Sequence, residues 1–434
     1  MGQAPTITGI SAPTGSYKQG DVINITITFS QNVTVTGTPQ LTLNIGGSDV
    51  VVNYSGGTGT PNLVFEYTVA NGHNTSALEY KATNSLVAPG VSFGSPTYIS
   101  DHMSVVRSVA TYDAGGSGKY VFVGDAVGGN AGIISVNITD PTNPTYSAKS
   151  GNAAVTDLIM DGNGRIWTSV DPGPGTGVGA IYGWQPTFGP NAINFIDGAN
   201  SNYGGNSTGN ANGIAVDGAN EYAYLGDMEG GVIRYDIRTP GNIQGVNRGE
   251  ANKDASRLAI FGNNAYVAYK TKLKIFNISD KLNPVNKRAE VPMNVNDVAY
   301  SVGYAYIASD GAGLGIVNVS NPALPSGPVY EDTDGVAQGV TVSGDYAYVA
   351  DGTNGLVAIN ISNPASPTYA TKVLLDDVAG SGAYDVAIFE NYAYVANVKN
   401  LASIPLTLGS IKNGGGNNAT LTLPALGGGS SLAA

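Results

Sequence analysis

The chain has 434 residues, of which only 12% are charged, a formal net charge of −12, and no cysteine. Disulfides, thiolate catalysis and Cys-ligated zinc are therefore excluded. With 20 Lys plus Arg there is no phosphate-neutralising patch, which argues against nucleic acid or an anionic membrane as partner, and no apolar run reaches the roughly 18 residues of a spanning helix.

The N-terminus, MGQAPTITG, lacks the charged and apolar regions of an export signal. Residues 22–29 alternate apolar and polar side chains, and 40–45, 49–54 and 63–69 follow with Gly, Pro and Asn between them. Period-two strands with such breaks predict a β-sandwich over residues 1–90. The stretches YKQGDVINITITFSQNVTVTGTPQLTLNIGG and FEYTVANGHNTSALEY resemble the bacterial Ig-like modules strung along large surface adhesins, with His73 standing where those modules commonly carry an acid. That resemblance implies a spacer or adhesion module with no chemistry of its own.

Residues 84–98, with Pro89, Gly90, Gly94 and Pro96, read as a linker, beyond which the chain repeats itself. In residues 339–368, GVTVSGDYAYVADGTNGLVAINISNPASPT, three short strands are separated by Gly-Asp and Asp-Gly turns and stopped by Asn-Pro; a fourth is expected near 368–374. Four antiparallel strands in about 40 residues is the unit of a propeller blade. The aromatic of the second strand recurs at Phe122, Trp167, Tyr224, Tyr266, Tyr306, Tyr348 and Tyr394, with successive differences of 45, 57, 42, 40, 42 and 46. Seven copies predict a seven-bladed β-propeller over residues 91–408. Its last blade is completed either by residues 91–99 or by a strand from the C-terminal segment.

The apolar third strand ending in Asn or Asp, Ser or Thr, and Asn-Pro, taken with the YAYVAD strand, resembles the LVIVD-repeat family. The resemblance runs over roughly residues 100–408, is specific in the last four copies, and is weak in the second, where residues 171–200 insert a Gly/Pro-rich loop. It implies a β-propeller of surface or secreted proteins, with no defined reaction. Residues 409–434 form a glycine-rich tail around one strand-like piece, 419–423, read as a strand donor to a neighbouring molecule.

The acid after the second strand recurs as Asp125, Asp171, Asp227, Asp310 and Asp351. Gathered at one rim these could bind Ca2+; Asx turns are the plainer and favoured reading, since no EF-hand-type loop is present. Asp157, Asp297 and Asp385 open the first strands and could line a central channel, but three positions of seven make a poor ring, so a structural role is favoured. His73 and His102 are the only histidines, which rules out a His-based triad or metal site within the repeats. Glu331, Asp332 and Asp334, like Asp376 and Asp377, read as solvated loop charge rather than a glycosidase pair. Tyr182, Trp184, Phe188 and Tyr203, in or just after the insertion, are the candidate ligand contacts, whereas the paired tyrosines of the YAY strands read as core.

The sequence-level expectation is a non-enzymatic structural or adhesion protein on the outside of an assembly, without a cofactor. The expected setting is a virion surface, as a bacteriophage fibre, spike or decoration protein, in contact with other virion proteins, copies of itself, and a glycan or host receptor. The alternative is a bacterial or archaeal cell-surface adhesin or extracellular filament subunit; a polysaccharide-acting propeller enzyme ranks last.

Overall fold

The computed structural model describes residues 3–46, 48–75, 78–82, 85–87, 90–100, 102–126, 132–150, 154–170, 180–186, 193–200, 211–228, 231–239, 243–248, 254–280, 286–375, 382–408, 410–412, 419, 421 and 423. Among these the protein is all-β, with a single 3-10 turn at Gly115–Ser117. No helix among them is long and apolar enough to cross a membrane. The chain divides into two compact units, Met1–Ser92 with Thr407–Ala434, and Phe93–Leu406.

The first unit is an eight-stranded sheet in which Ile7–Ser11, Val22–Thr36, Thr60–Thr68, Ser48–Gly56 and Gln40–Ile45 lie side by side in that order. Alternation decides which side chains are inside: Ile23, Ile25, Ile27 and Phe29 are buried while their neighbours are not. The C-terminal segment belongs to this sheet. Ser410–Lys412 pairs antiparallel with Thr34–Thr36, and Ile411 and Leu423 are buried in the same core as Leu41, Leu63 and Phe65. The Ser410–Lys412 strand lies ahead of the piece, 419–423, expected as a donor; of that piece, the Ala419 N–H donates to the Ile411 carbonyl at 2.8 Å and Leu423 is buried in the same core.

In the second unit the described residues form seven separate antiparallel sheets of four or five strands, one per repeat. The recurrent second-strand aromatic is buried in all seven, from Phe122 to Tyr394. Across the first strand it mostly faces a small residue, as in Tyr224 opposite Ala215, Tyr306 opposite Ala299 and Tyr394 opposite Ala387. The ring can lie over that small partner and reach the next sheet. Apolar clusters join one sheet to the next, for example Tyr266, Leu273 and Ile275 with Val298, Ala305 and Ile307. The innermost strand of each sheet neighbours that of the next, and Val106–Asp113 in turn neighbours Ala383–Phe389, so the seven first strands close a ring. Of the two closures left open by the sequence, the structure uses the early one: Thr97–Ile99 pairs with Leu401–Ser403 in the last sheet.

Candidate functional site

Two residues before the partner of each aromatic, the seven first strands carry Ser108, Asp157, Gly213, Arg257, Asp297, Gly339 and Asp385. Ring closure brings this column together around the axis. The Arg257 guanidinium Nη1 lies 3.2 Å from Asp385 Oδ2, 3.7 Å from Asp157 Oδ1 and 3.9 Å from Asp297 Oδ2, and its Nη2 donates to the Arg107 carbonyl at 2.8 Å. All three carboxylates are buried.

Each aspartate also ties two sheets together through its backbone bonds. Oδ2 of Asp157, Asp297 and Asp385 accepts from the N–H of Ile214, Val340 and Val109, each on the next first strand, at 3.0 Å. Oδ1 of Asp297 and Asp385 accepts from the following residue's own N–H, and Ser108 Oγ donates to Asp157 Oδ1 at 2.8 Å. The glycines of the column serve the same close approach: a Cβ on Gly213 would fall 2.5 Å from the Arg257 Cα, and one on Gly339 would fall 2.5 Å from the Tyr384 carbonyl oxygen.

Three acids and one base in a poorly solvated layer do not balance. Burial pushes the Asp297 carboxyl up to about 6, against the attraction of Arg257 and with repulsion from Asp385 and Asp157. Burial also raises Asp157, opposed by the same guanidinium. For Arg257 burial works against the charge, but Asp385, Asp157 and Asp297 outweigh it and hold the guanidinium above its usual value. The arrangement is an ion cluster, the hub of the ring, in which every carboxylate oxygen has a backbone or side-chain partner.

The sequence singled out the three aspartates and set the ring aside because only three positions of seven are acidic. Arg257 was the missed residue. Its signal was present, since it occupies the same column of the fourth copy.

One residue earlier, the column is polar in every copy: Arg107, Thr156, Asn212, Ser256, Asn296, Gln338 and Tyr384, and with Lys270 and Asp254 these line a cavity of about 270 Å³ at one mouth of the ring. A second cavity, of about 380 Å³, is lined by Asp157, Asp297, Asp385 and Arg257 of the hub together with aliphatic side chains such as Ile159, Ile214 and Val340. A third, of about 400 Å³, lies in the first unit beside Tyr17, Tyr67 and His73, where His73 Nδ1 is 2.7 Å from the Tyr67 hydroxyl.

The candidate cation ligands do not meet. Asp125 is buried and accepts from the N–H groups of Ser104 and Val105; Asp351 is buried and accepts from Thr333 Oγ1 and Asn354 Nδ2. Asp227 is buried in its own strand, and Asp310 takes a left-handed turn, φ 55°, bridged to Ala337. Their partners lie in or beside their own repeats, so the rim site is not assembled, and among the described residues no group of three or more His, Asp or Glu is placed to hold a metal. Asp171 lies outside the described residues.

Tyr182 and Trp184 fall on a regular strand, Ala180–Pro186, the third of its sheet, rather than in an inserted loop. Trp184 is buried, donates from its indole N–H to Thr168 Oγ1 at 3.2 Å and packs in the core, with Tyr182 half-buried against it. Phe188 and Tyr203 lie outside the described residues. Glu331 and Asp332 accept from the N–H groups of Tyr369 and Asp334, while Asp376 and Asp377 are outside the described residues.

A family model described as the LVIVD repeat matches residues 252–288, 293–327, 334–374 and 380–402. No curated protein matches the chain. Among solved structures, the crystal structure of the computationally designed Ika8 protein is similar over 71% of this chain and 98% of that one, with 10% identity and a TM-score of 0.49. The chain thus carries LVIVD repeats through its fourth to seventh copies, within an all-β, propeller-like repeat region.

Proposed function

We propose that this chain is a non-enzymatic structural and adhesion protein displayed on the outside of an assembly: an Ig-like sandwich that carries a seven-bladed β-propeller. The observation that carries the reading is the path of the chain. Residues on both sides of the repeat region, 1–92 and 407–434, belong to one unit, so the repeat region is an insertion held to that unit by both of its ends. The repeat region is thereby joined to that unit by two covalent connections rather than one. The hub at the ring centre, in which each aspartate bonds the backbone of the next first strand, suits a rigid scaffold.

The carrier we propose is a bacteriophage particle, on which the chain is a fibre, spike or decoration protein. A bacterial or archaeal surface adhesin or filament subunit is the second reading. It is favoured by the likeness of residues 17–47 and 65–80 to adhesin modules and by the use of the tail strand within the chain. Immunogold labelling of particles and cells from the native source tests both readings. Label on particle exteriors supports the first and label on cell exteriors the second; label confined to cell interiors contradicts display.

A further inference from the structure

We infer that the polar mouth of the ring is a binding site for a neutral pyranose, the terminal sugar of a glycan; the inference rests on the display reading and names what the displayed head would hold. Its cavity of about 270 Å³ has room for a single sugar ring.

The donors and acceptors there are mixed and held in place. Asn212 Nδ2 is engaged by Met228 Sδ, and Asn296 Nδ2 donates to the Ala337 carbonyl at 2.8 Å. Each carboxamide is therefore fixed, with its oxygen left as an acceptor. Gln338 makes no side-chain bond to any described residue and offers both an acceptor and a donor, and the Lys270 ammonium has no carboxylate partner among the described residues. Arg107 lies over the Tyr384 ring at 5.8 Å, placing a guanidinium against an aromatic face.

This mixture selects a hydroxylated ligand over an anion. Sugar hydroxyls both donate and accept, and so satisfy amide oxygens and cations together. A phosphate or carboxylate only accepts. Arg107, Lys270 and Arg257 would meet it, but the two amide oxygens and Asp254 at the same mouth would be left facing an acceptor with no proton to share.

The test is titration of the full chain with a panel of methyl glycosides of neutral hexoses and N-acetylhexosamines, followed by saturation-transfer NMR. Arg107→Ala and Gln338→Ala are the site variants and Tyr182→Ala is the control; thermal melts confirm that each folds. The inference predicts saturable binding of at least one glycoside, weakened at least about tenfold by both site variants at unchanged melting temperature and untouched by the control. It is overturned if no glycoside saturates, if binding ignores both site variants, or if inorganic phosphate occupies the mouth more tightly than any sugar. Exterior labelling of particles or cells together with a silent panel would sink this inference and leave the display reading standing.

Discussion

Arg257 is the one cation paired with three buried acids, and removing it leaves them without a counter-charge. Arg257→Met is therefore expected to destabilise the repeat unit by about 3–5 kcal/mol in urea unfolding; a change under about 1 kcal/mol would contradict the hub. The same layer sets a pH dependence. The folded chain holds a proton on Asp297 up to about pH 6, whereas that carboxyl ordinarily titrates at 3.8. Between those values the folded state binds more protons than the unfolded one, so stability rises as pH falls from about 6 towards 4, by on the order of 2 kcal/mol from this group. Asp157, raised by burial, acts in the same direction; Asp236 and Glu290, lowered by pairing with Arg238 and Lys272, act in the opposite direction but are reached and screened by solvent. The melting temperature should be higher at pH 5 than at pH 7.5, and Asp297→Asn should flatten the difference. A wild-type chain that loses stability over that range would refute the assignment. The aspartates could be read from the sequence because each opens a recognisable strand. Arg257 could not be read as their partner, because contacts with acids on three other repeats appear only when the ring closes.

At the scale of strands, the close approach of the third and fourth sheets depends on glycine. A Cβ on Gly226 would lie 1.7 Å from the Ser256 carbonyl oxygen, whereas one on Gly218 meets nothing within 4 Å. Gly226→Ala should cost about 2 kcal/mol or more and Gly218→Ala less than about 0.5 kcal/mol; equal effects would contradict the packing. In the first unit Ile411 is 3% exposed in the sheet core, so Ile411→Ala should cost about 2–4 kcal/mol, seen as a lowered transition of that unit alone. The repeat strands were legible because the aromatic and the Asn-Pro stop recur at nearly constant spacing. The strand holding Tyr182 and Trp184 was not, because its flanking Gly and Pro residues mask a third strand that pairs in register with Ile166–Val170. Burial of Trp184 follows from that register: a strand in the middle of a sheet sends alternate side chains into the core on each face.

For the whole molecule, the repeat count and the all-β class follow from periodicity, which reports local units and their number. The route of the chain does not, since a glycine-rich tail carries too weak a pattern to announce its partner, and strand addition to a neighbour and strand addition to its own chain demand the same residues. That choice decides whether the repeat region is an insertion within one unit or is followed by a free donor strand. The absence of native cysteine makes it testable by cross-linking. Thr34 and Lys412 are direct antiparallel partners, so Thr34→Cys with Lys412→Cys places two thiols within reach of one another. Oxidation of that double variant at low protein concentration should give a monomer with an internal disulfide, seen as faster non-reducing migration and two fewer free thiols. Covalent dimers, or thiols that stay free while the fold is intact, would contradict the discontinuous unit and the display reading built on it.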